Sequence, residues 1–275
     1  MEIRGEFFYF NGEIFPVSRN KDFLSEYDNS IYEVLRVSNS TPLFLEDHFN
    51  RFENSFHKIG RGFFPDFKEL KEILERLIAK NKLQIGNLRI ELFLHKNILA
   101  AFFIPHHYPD EIMYQTGVKL VTFQIERPNP EVKQSVVNNL IRKEIAEHQK
   151  ASNAYEILLV NREGLITEGS KSNILMIKDT IIYTPLSEQI LNGITRQKVL
   201  MLARKLNIEV HEESIELSKL NNFDACFITG TSPKVLPVNS IGAHSFNPQN
   251  EIVSLLTKSY NQLIKDYCSG SRNLS

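Results

Sequence analysis

The chain has 275 residues, of which 42% are hydrophobic and 24% are charged, a composition typical of a globular protein with one or two domains. This composition excludes a chain that is disordered over most of its length. Thirty-two lysines and arginines nearly balance 33 aspartates and glutamates, and the formal net charge of −1 provides no overall positive field for binding nucleic acid or an anionic membrane.

The N-terminal region begins Met-Glu-Ile-Arg-Gly-Glu and lacks the basic and apolar stretches of a secretory signal, which predicts a cytoplasmic protein. No apolar run approaches the ~20 residues of a membrane span.

Residues 6–16 hold two apolar runs joined by Asn11-Gly12, a pair that favours the positive φ angles of a β-hairpin turn. Residues 30–37 predict the next strand, although Glu33 and Arg36 interrupt its apolar pattern.

Two amphipathic helices are predicted next. Phe49, Phe52 and Phe56 recur at intervals of three and four, which predicts a helix from residue 46 to about residue 60. On the same helix, three polar residues share a different stripe and can point together into one cleft; they are His48, Arg51 and Ser55. Asp66 is the predicted N-cap of a second helix that continues to Ile78.

Two β-rich runs, residues 88–95 and 98–104, predict a hairpin that completes the first sheet. Arg89 and His95 are six positions apart and are expected to share one strand face, where they could be ordinary surface residues. Residues 1–112 are therefore expected to form an α+β domain. The polar segment 106–111 would cross to a second domain, residues 113–275.

The second half alternates between strands and helices. Strands are predicted at residues 118–124, 156–160, 165–168, 173–178, 181–184 and 225–229, and helices at residues 136–150, 195–206 and 252–267. The cysteines, Cys226 and Cys268, are too few for a disulfide framework and lack the spacing of zinc ligands. We expect no metal site.

Four local features suggest binding chemistry, each with a plainer alternative. The turn Leu191-Asn192-Gly193 enters a helix whose first N–H groups could bind a phosphate, or Thr195 could simply cap that helix. Hydroxyls in Thr229-Gly230-Thr231-Ser232 could also clasp phosphate, or form an ordinary turn. The guanidinium of Arg51 could bind a phosphate group through two hydrogen bonds, or it could simply be exposed to solvent. Glu168 lies at the end of an apolar strand and could face a cationic ring nitrogen, or be a loop glutamate.

Taken together, these features resemble class IV pyridoxal-phosphate aminotransferases, the family of branched-chain aminotransferase, D-amino-acid aminotransferase and aminodeoxychorismate lyase. The matching strings follow the family's order over residues 6–240. They are Ile31-Tyr32-Glu33-Val34-Leu35-Arg36-Val37, Phe44-Leu45-Glu46-Asp47-His48-Phe49-Asn50-Arg51-Phe52, Gly164-Leu165-Ile166-Thr167-Glu168-Gly169-Ser170, Ser172-Asn173-Ile174, Tyr183-Thr184-Pro185, Leu191-Asn192-Gly193-Ile194-Thr195-Arg196, Thr229-Gly230-Thr231 and Pro237-Val238.

This resemblance implies a two-domain α+β fold like that of D-amino-acid aminotransferase, with a smaller N-terminal α/β domain and a larger C-terminal domain carrying most of the cofactor site. The implied cofactor is pyridoxal 5'-phosphate. Glu168 would face its pyridine nitrogen, and Lys133 would form the Schiff base and then move the substrate proton. The implied phosphate site consists of Arg51, the N–H groups of Ile194 and Thr195, and the Thr231 hydroxyl.

The sequence departs from the family pattern around the lysine. Lys133 and Glu168 are 35 positions apart, one or two more than in relatives, and an ungapped alignment places Ser135 at the lysine position. The asparagine that usually follows the lysine comes late, as Asn138 or Asn139. We favour a short insertion that leaves Lys133 catalytic. The competing interpretation is a non-catalytic homologue that has lost its Schiff-base lysine and binds the cofactor without turnover.

The expected function is a pyridoxal-phosphate-dependent transferase of amino-acid metabolism, an aminotransferase that moves an amino group between a branched-chain-like amino acid and a 2-oxo acid. The family resemblance implies a homodimer. The string at residues 31–37 is closest to D-amino-acid aminotransferases, but strand 88–95 lacks the arginine and histidine pair those enzymes place for the substrate carboxylate. The alternative activity is a lyase acting on aminodeoxychorismate.

Overall fold

Two β-sheets and six α-helices make up the described part of the chain, in agreement with the predicted α+β class. The computed structural model describes residues 2–20, 23, 29–127, 129–134 and 139–270, with the backbone alone for residues 139–142. Ser135, Asn138 and the first residues of the helix predicted at 136–150 lie outside this set.

The first sheet has six strands and is antiparallel throughout. In chain order its strands are β1 (Arg4–Phe10), β2 (Glu13–Pro16), β3 (Ser30–Ser38), β4 (Thr41–Pro42), β5 (Ile85–Phe93) and β6 (Ile98–Ile104). The spatial order is β2-β1-β6-β5-β3-β4. Asn11 and Gly12 form the predicted hairpin turn with positive φ angles. The shared face predicted for Arg89 and His95 is wrong, because β5 ends at Phe93 and His95 lies exposed in the following turn.

Two helices cover one face of this sheet, α1 (Leu45–Ile59) and α2 (Phe67–Asn81). Both predicted helices are confirmed, and α1 begins one residue earlier than the phenylalanine spacing indicates. The apolar stripes of the helices pack with alternate residues of β3 and β5 in one core. Members of this core include Ile31, Leu35, Phe49, Phe52, Phe56, Leu70, Leu74, Leu77, Leu88 and Ile90.

Asp66 caps α2 as the sequence predicts, since its Oδ1 accepts a hydrogen bond of 2.8 Å from the backbone N–H of Glu69. Replacing Asp66 with alanine leaves that N–H without its intramolecular partner. We expect D66A to lower the free energy of unfolding by about 1 kcal/mol, measured by urea denaturation. Asp66→Asn keeps a capping oxygen and is the matched control; an equal loss in both variants would contradict the capping role.

The second sheet has ten strands and mixes parallel and antiparallel pairs. Its strands are β7 (Val118–Gln124), β8 (Glu156–Val160), β9 (Leu165–Gly169), β10 (Asn173–Lys178), β11 (Ile181–Thr184), β12 (Val210–Glu212), β13 (Ile215–Glu216), β14 (Ala225–Gly230), β15 (Lys234–Ile241) and β16 (His244–Ser245). The order is β12-β11-β10-β14-β15-β7-β8-β9-β13, and β16 pairs with β15. All six strands predicted in this half are present, whereas β12, β13, β15 and β16 were not predicted.

Four further helices are α3 (Glu111–Thr116), α4 (Asn139–Ala151), α5 (Ile194–Lys205) and α6 (Glu251–Cys268). Helix α3 was not predicted; it begins at Glu111, the last residue of the polar crossing predicted at 106–111, and the Asp110 side chain caps it by accepting from the Met113 N–H. The other three agree with the predicted helices to within a few residues over the described part of the chain.

The chain forms two compact units. The first contains Met1–His107, Val132–Val137 and Ile264–Ser275, and the second contains Tyr108–Glu131 and Asn138–Leu263. The first unit thus combines three separate segments of chain. Its C-terminal segment is anchored by Tyr267, whose hydroxyl donates to Glu46 Oε2 at 2.7 Å and accepts from the Leu45 N–H at 3.2 Å. The domain boundary expected after residue 112 stays a prediction.

Within the described residues, none of the helices combines the length and hydropathy needed to cross a bilayer. The same part of the chain shows no group of three or more histidine, cysteine or acidic side chains placed to hold a metal ion.

Candidate active site

Arg51 lies in a buried ion-pair cluster of the first unit. Strand β3 directs Glu33 toward helix α1, where its Oε1 accepts from Arg51 Nε at 2.8 Å and its Oε2 from Arg51 Nη2 at 2.6 Å. His48 Nδ1 lies 2.7 Å from the same Oε2. Glu33 is 0% exposed. Glu33, which interrupts the apolar pattern of its strand, is therefore the acceptor that orients two residues of the predicted polar stripe, and Ser55 of that stripe is also buried.

The cluster is ionised at Glu33 and neutral at His48. Burial alone would raise the pKa of Glu33, but the adjacent Arg51 guanidinium and the His48 hydrogen bond outweigh it and hold that pKa well below its usual range. Burial lowers the pKa of His48 despite its bond to Glu33, and the charges of Arg51 and Lys133 lower it further. A neutral His48 with Nδ1–H donating to the carboxylate satisfies both effects.

This cluster makes stability depend on pH. Because the folded pKa of His48 lies below its unfolded value of about 6.5, its contribution is complete above about pH 6.5 and declines as the pH falls. The contribution of Glu33 to stability is lost in turn as the pH falls below its unfolded pKa of about 4.3. We expect the urea-derived free energy of unfolding to decrease from about pH 7 to pH 5. His48→Gln should flatten that interval, and a flat wild-type profile would contradict the assignment.

Lys133 belongs to the first unit through its backbone. The Tyr32 N–H donates to the Lys133 carbonyl at 3.0 Å, and Gln134 forms a β-bridge with Ile31. Lys133 Nζ lies 5.6 Å from the centroid of the Tyr32 ring, and its charge lowers the pKa of His48. The structure therefore brings Lys133 to the same strand that carries the partner of Arg51. Asn139, one of the two asparagines considered in the sequence, is the first residue of α4.

In the second unit, Glu168 is held at the end of β9 by several donors. Its side chain is 4% exposed and pairs with the guanidinium of Arg127. Its Oε2 accepts from the Leu191 N–H at 3.1 Å and from the Asn173 amide at 3.5 Å. Three donors around one buried carboxylate favour its ionised form. Glu168 is thus buried and hydrogen-bonded rather than a solvated loop residue.

Helix α5 begins without a capping side chain. Its N-cap is Gly193, and Ile194 and Thr195 follow as the first buried helical residues. The plainer prediction, in which Thr195 caps the helix, is wrong, because Thr195 lies inside the first turn. A side chain at Gly193 would clash, since a Cβ there would lie 2.0 Å from Asn173 Oδ1. The first turn of α5 therefore presents backbone N–H groups beside a glycine that packs closely against the Asn173 side chain.

The hydroxyl-rich segment Thr229-Gly230-Thr231-Ser232 lies at the end of the buried strand β14, as predicted. Thr229 is 1% exposed and is the penultimate residue of that strand. Within the described residues, its Oγ1 makes no hydrogen bond although it is buried. Thr231 lies in the turn and is half-buried. A buried hydroxyl without a partner indicates a site that a polar ligand could complete.

Sequence patterns identified the candidate residues but missed two of their partners. Glu33 was visible only as an interruption in an apolar strand, which is a useful signal because a charged residue there needs a buried partner. Arg127 lies in a polar segment, and nothing in its local pattern indicates that it pairs with Glu168. The first unit carries Arg51 and Lys133, whereas the second carries Glu168, Ile194, Thr195 and Thr231.

Comparison with known proteins gives the same family throughout. Residues 30–241 match the family described as amino-transferase class IV. The chain is 31% identical to a D-alanine aminotransferase of Bacillus licheniformis over 234 residues, covering 78% of this chain and 80% of the relative. It is 28% identical to a probable branched-chain-amino-acid aminotransferase of Rickettsia bellii, covering 94% and 96%.

The fold matches as well. The structure superposes on the branched-chain amino acid aminotransferase of Escherichia coli with a TM-score of 0.85 and 21% identity, covering 95% of both chains. The predicted two-domain α+β aminotransferase fold is thereby confirmed. With a family match over most of its length and a relative above 30% identity, the chain belongs to the class IV aminotransferases.

Proposed function

We propose that this aminotransferase uses pyridoxal 5'-phosphate to move an amino group between a branched-chain-like amino acid and a 2-oxo acid. The observation that supports the proposal most directly is the placement of Lys133. Its carbonyl accepts a hydrogen bond from strand β3, and its amine lies 5.6 Å from the centroid of the Tyr32 ring on the same strand. A catalytic amine needs such fixed positioning to reach a reacting carbon.

The described residues fit the phosphate of this cofactor. The uncapped first turn of α5 offers N–H groups at Ile194 and Thr195, and a helix N-terminus favours an anion. The Thr229 hydroxyl is buried without a partner next to the turn that carries Thr231. Arg51 would add a guanidinium whose orientation Glu33 already fixes. These residues would bind the phosphate group.

The remaining residues would control protons. When bound, the cofactor supplies an electron sink for the charge that develops at the substrate Cα. Glu168, ionised by its three donors, would hold a proton on the pyridine nitrogen. Lys133 Nζ would act as the base that takes up the proton leaving the substrate Cα.

Among the comparisons, the relatives at 28% and 31% identity are both aminotransferases. One is named for D-alanine and the other for branched-chain amino acids. The experiment must therefore distinguish the side chain and the configuration of the amino-acid substrate. The relative named for branched-chain amino acids aligns over the larger share of both chains, which supports the branched-chain proposal. The contacts of Lys133 with Tyr32 argue against a non-catalytic homologue.

Half-reactions of the purified holoenzyme test this function. With L-leucine, the cofactor's absorption should change to that of its amino form, and 2-oxo-4-methylpentanoate should be released in equal amount. D-alanine and aminodeoxychorismate are the comparison substrates. A faster reaction with D-alanine would overturn the branched-chain assignment, and pyruvate release from aminodeoxychorismate without the amino form would indicate a lyase. Absence of conversion with every substrate would favour the non-catalytic homologue.

The homodimer and the cytoplasmic location expected from the sequence remain proposals. Size-exclusion chromatography with light scattering tests the dimer. The expected mass is near twice that of the 31.8 kDa chain.

A further inference from the structure

Asn173 is a buried polar residue at the start of strand β10. It is 4% exposed, and the antiparallel register of β10 and β14 places it opposite Thr229, which is also buried. Glu168 lies five residues earlier in the chain, near the end of β9. Because a buried amide normally makes hydrogen bonds, the partners of Asn173 show which parts of the second unit it holds in place.

The amide nitrogen of Asn173 fixes the backbone at Leu191. Its Nδ2 donates to the Leu191 carbonyl at 2.7 Å, and the Leu191 N–H donates in turn to Glu168 Oε2 at 3.1 Å. The same Nδ2 lies 3.5 Å from that carboxylate oxygen, at the outer limit of a direct hydrogen bond. Asn173 therefore acts on Glu168 mainly through the Leu191 backbone, and both donors to Oε2 depend on the Asn173 side chain.

The amide oxygen of Asn173 packs against the start of helix α5. Gly193 is the N-cap of that helix, and its φ of −64° and ψ of 135° are accessible to any residue. A Cβ at Gly193 would nevertheless overlap Asn173 Oδ1, whereas it would lie at an ordinary 3.8 Å from Arg196 Cβ. The conflict at position 193 is therefore with the Asn173 side chain and not with the backbone conformation.

These contacts place one side chain between the Glu168 carboxylate and the first turn of α5. A carboxylate that holds a proton on a ring nitrogen must keep a fixed orientation, and the residues packed around it supply that orientation. An asparagine that only stabilised the local turn would lower the free energy of unfolding when removed. Its removal would not change how strongly the protein distinguishes a ring nitrogen from a ring carbon.

We propose that Asn173 is a positioning residue that orients the Glu168 carboxylate toward the ring nitrogen of the cofactor, through the backbone of Leu191. The proposal rests on the proposed function, because the ring nitrogen belongs to the cofactor named there. It also gives a physical reason for glycine at position 193, since a larger residue there would displace the amide that holds Leu191.

Two ligands that differ only at the ring nitrogen test this role. They are pyridoxamine 5'-phosphate and its deaza analogue, in which a C–H group replaces that nitrogen. Their dissociation constants are measured by calorimetry on the full-length protein freed of cofactor. The ratio of the two constants, the nitrogen preference, isolates the contact with Glu168, because both ligands share the phosphate. We expect the wild type to bind the pyridine compound roughly 10- to 100-fold more tightly, the value of a charge-assisted hydrogen bond.

Asn173→Ala should lower the nitrogen preference by roughly 5-fold, the value of one ordinary hydrogen bond. Gly193→Ala should also lower it, because the added methyl group displaces the Asn173 amide. The double variant N173A/G193A should match N173A, since no amide is left to displace. Such non-additivity is expected when two changes act through the same contact. Affinity for the deaza analogue reports separately on the phosphate contacts and on folding.

Asn222→Ala, at an exposed position of the same unit, is the matched control and should keep the wild-type preference. An unchanged preference in N173A, or an equal further loss when G193A is added to N173A, would overturn the proposal. If N173A does not fold, an unchanged preference in G193A overturns it instead. Failure of the wild type to bind either ligand contradicts the proposed function, whereas tight and equal binding of both overturns the roles of Glu168 and Asn173 together.

Discussion

Replacing Lys133 with alanine should lower the rate of transamination by roughly 10²- to 10⁴-fold, the range lost when a catalytic acid or base is removed. The variant should still fold, because the hydrogen bond from Tyr32 and the bridge at Gln134 use backbone atoms that alanine retains. The measurement is the single-turnover rate of 2-oxo acid release from L-leucine, together with the mass of the peptide carrying residue 133 after borohydride reduction of the wild-type holoenzyme.

Lys143→Ala is the matched control, since Lys143 is an exposed lysine of α4 whose amine lies 3.8 Å from Glu147. This variant should keep the wild-type rate and the modified peptide. Transamination at the wild-type rate in K133A, or attachment of the cofactor to another lysine, would show that the short insertion was placed wrongly and that a different amine is catalytic.

Replacing Glu168 with glutamine should reduce kcat on the order of 10²- to 10³-fold, as when one preorganised electrostatic partner is removed from an active site. The neutral amide can still accept from the Leu191 N–H but no longer favours a protonated pyridine nitrogen. It also leaves the Arg127 guanidinium without its anionic partner, which further disfavours a cationic ring nearby.

Cofactor content after dialysis should stay near the wild-type level in E168Q, because the proposed phosphate-binding residues are unchanged. Glu163→Gln changes an exposed glutamate in the turn between β8 and β9 and should leave kcat unaltered. A near-normal kcat in E168Q would remove Glu168 from the proton-holding role and leave it as a structural partner of Arg127.

The elements that the sequence predicted well are those with local causes. The phenylalanine spacing of α1, the capping aspartate of α2 and the Asn11-Gly12 turn each depend on residues within a few positions of one another. Short-range periodicity and turn chemistry therefore sufficed for them. The strands β12 and β13, with three and two residues, are too short to show a periodic pattern and were missed.

The candidate site was predicted only in part because its charged side chains depend on partners far away in the chain. Arg51 could be identified from its place in a motif, but the carboxylate that orients it comes from another element. Arg196 was taken only as part of a helix-start motif, yet it is buried and pairs with Glu212. Local sequence patterns cannot predict such ion pairs, because the two side chains come together only when the chain folds.

The three-segment construction of the first unit has a consequence for synthesis on the ribosome. Residues 30–107 emerge early, and β3 can pair with β5 at that stage. The segment that carries Lys133 arrives later. Tyr267, which contacts Leu45 and Glu46 at the start of α1, arrives only after the last segment of the second unit has been synthesised. The unit whose assembly begins first is consequently completed last, so a nascent chain that stops short of α6 carries Lys133 in an unfinished unit.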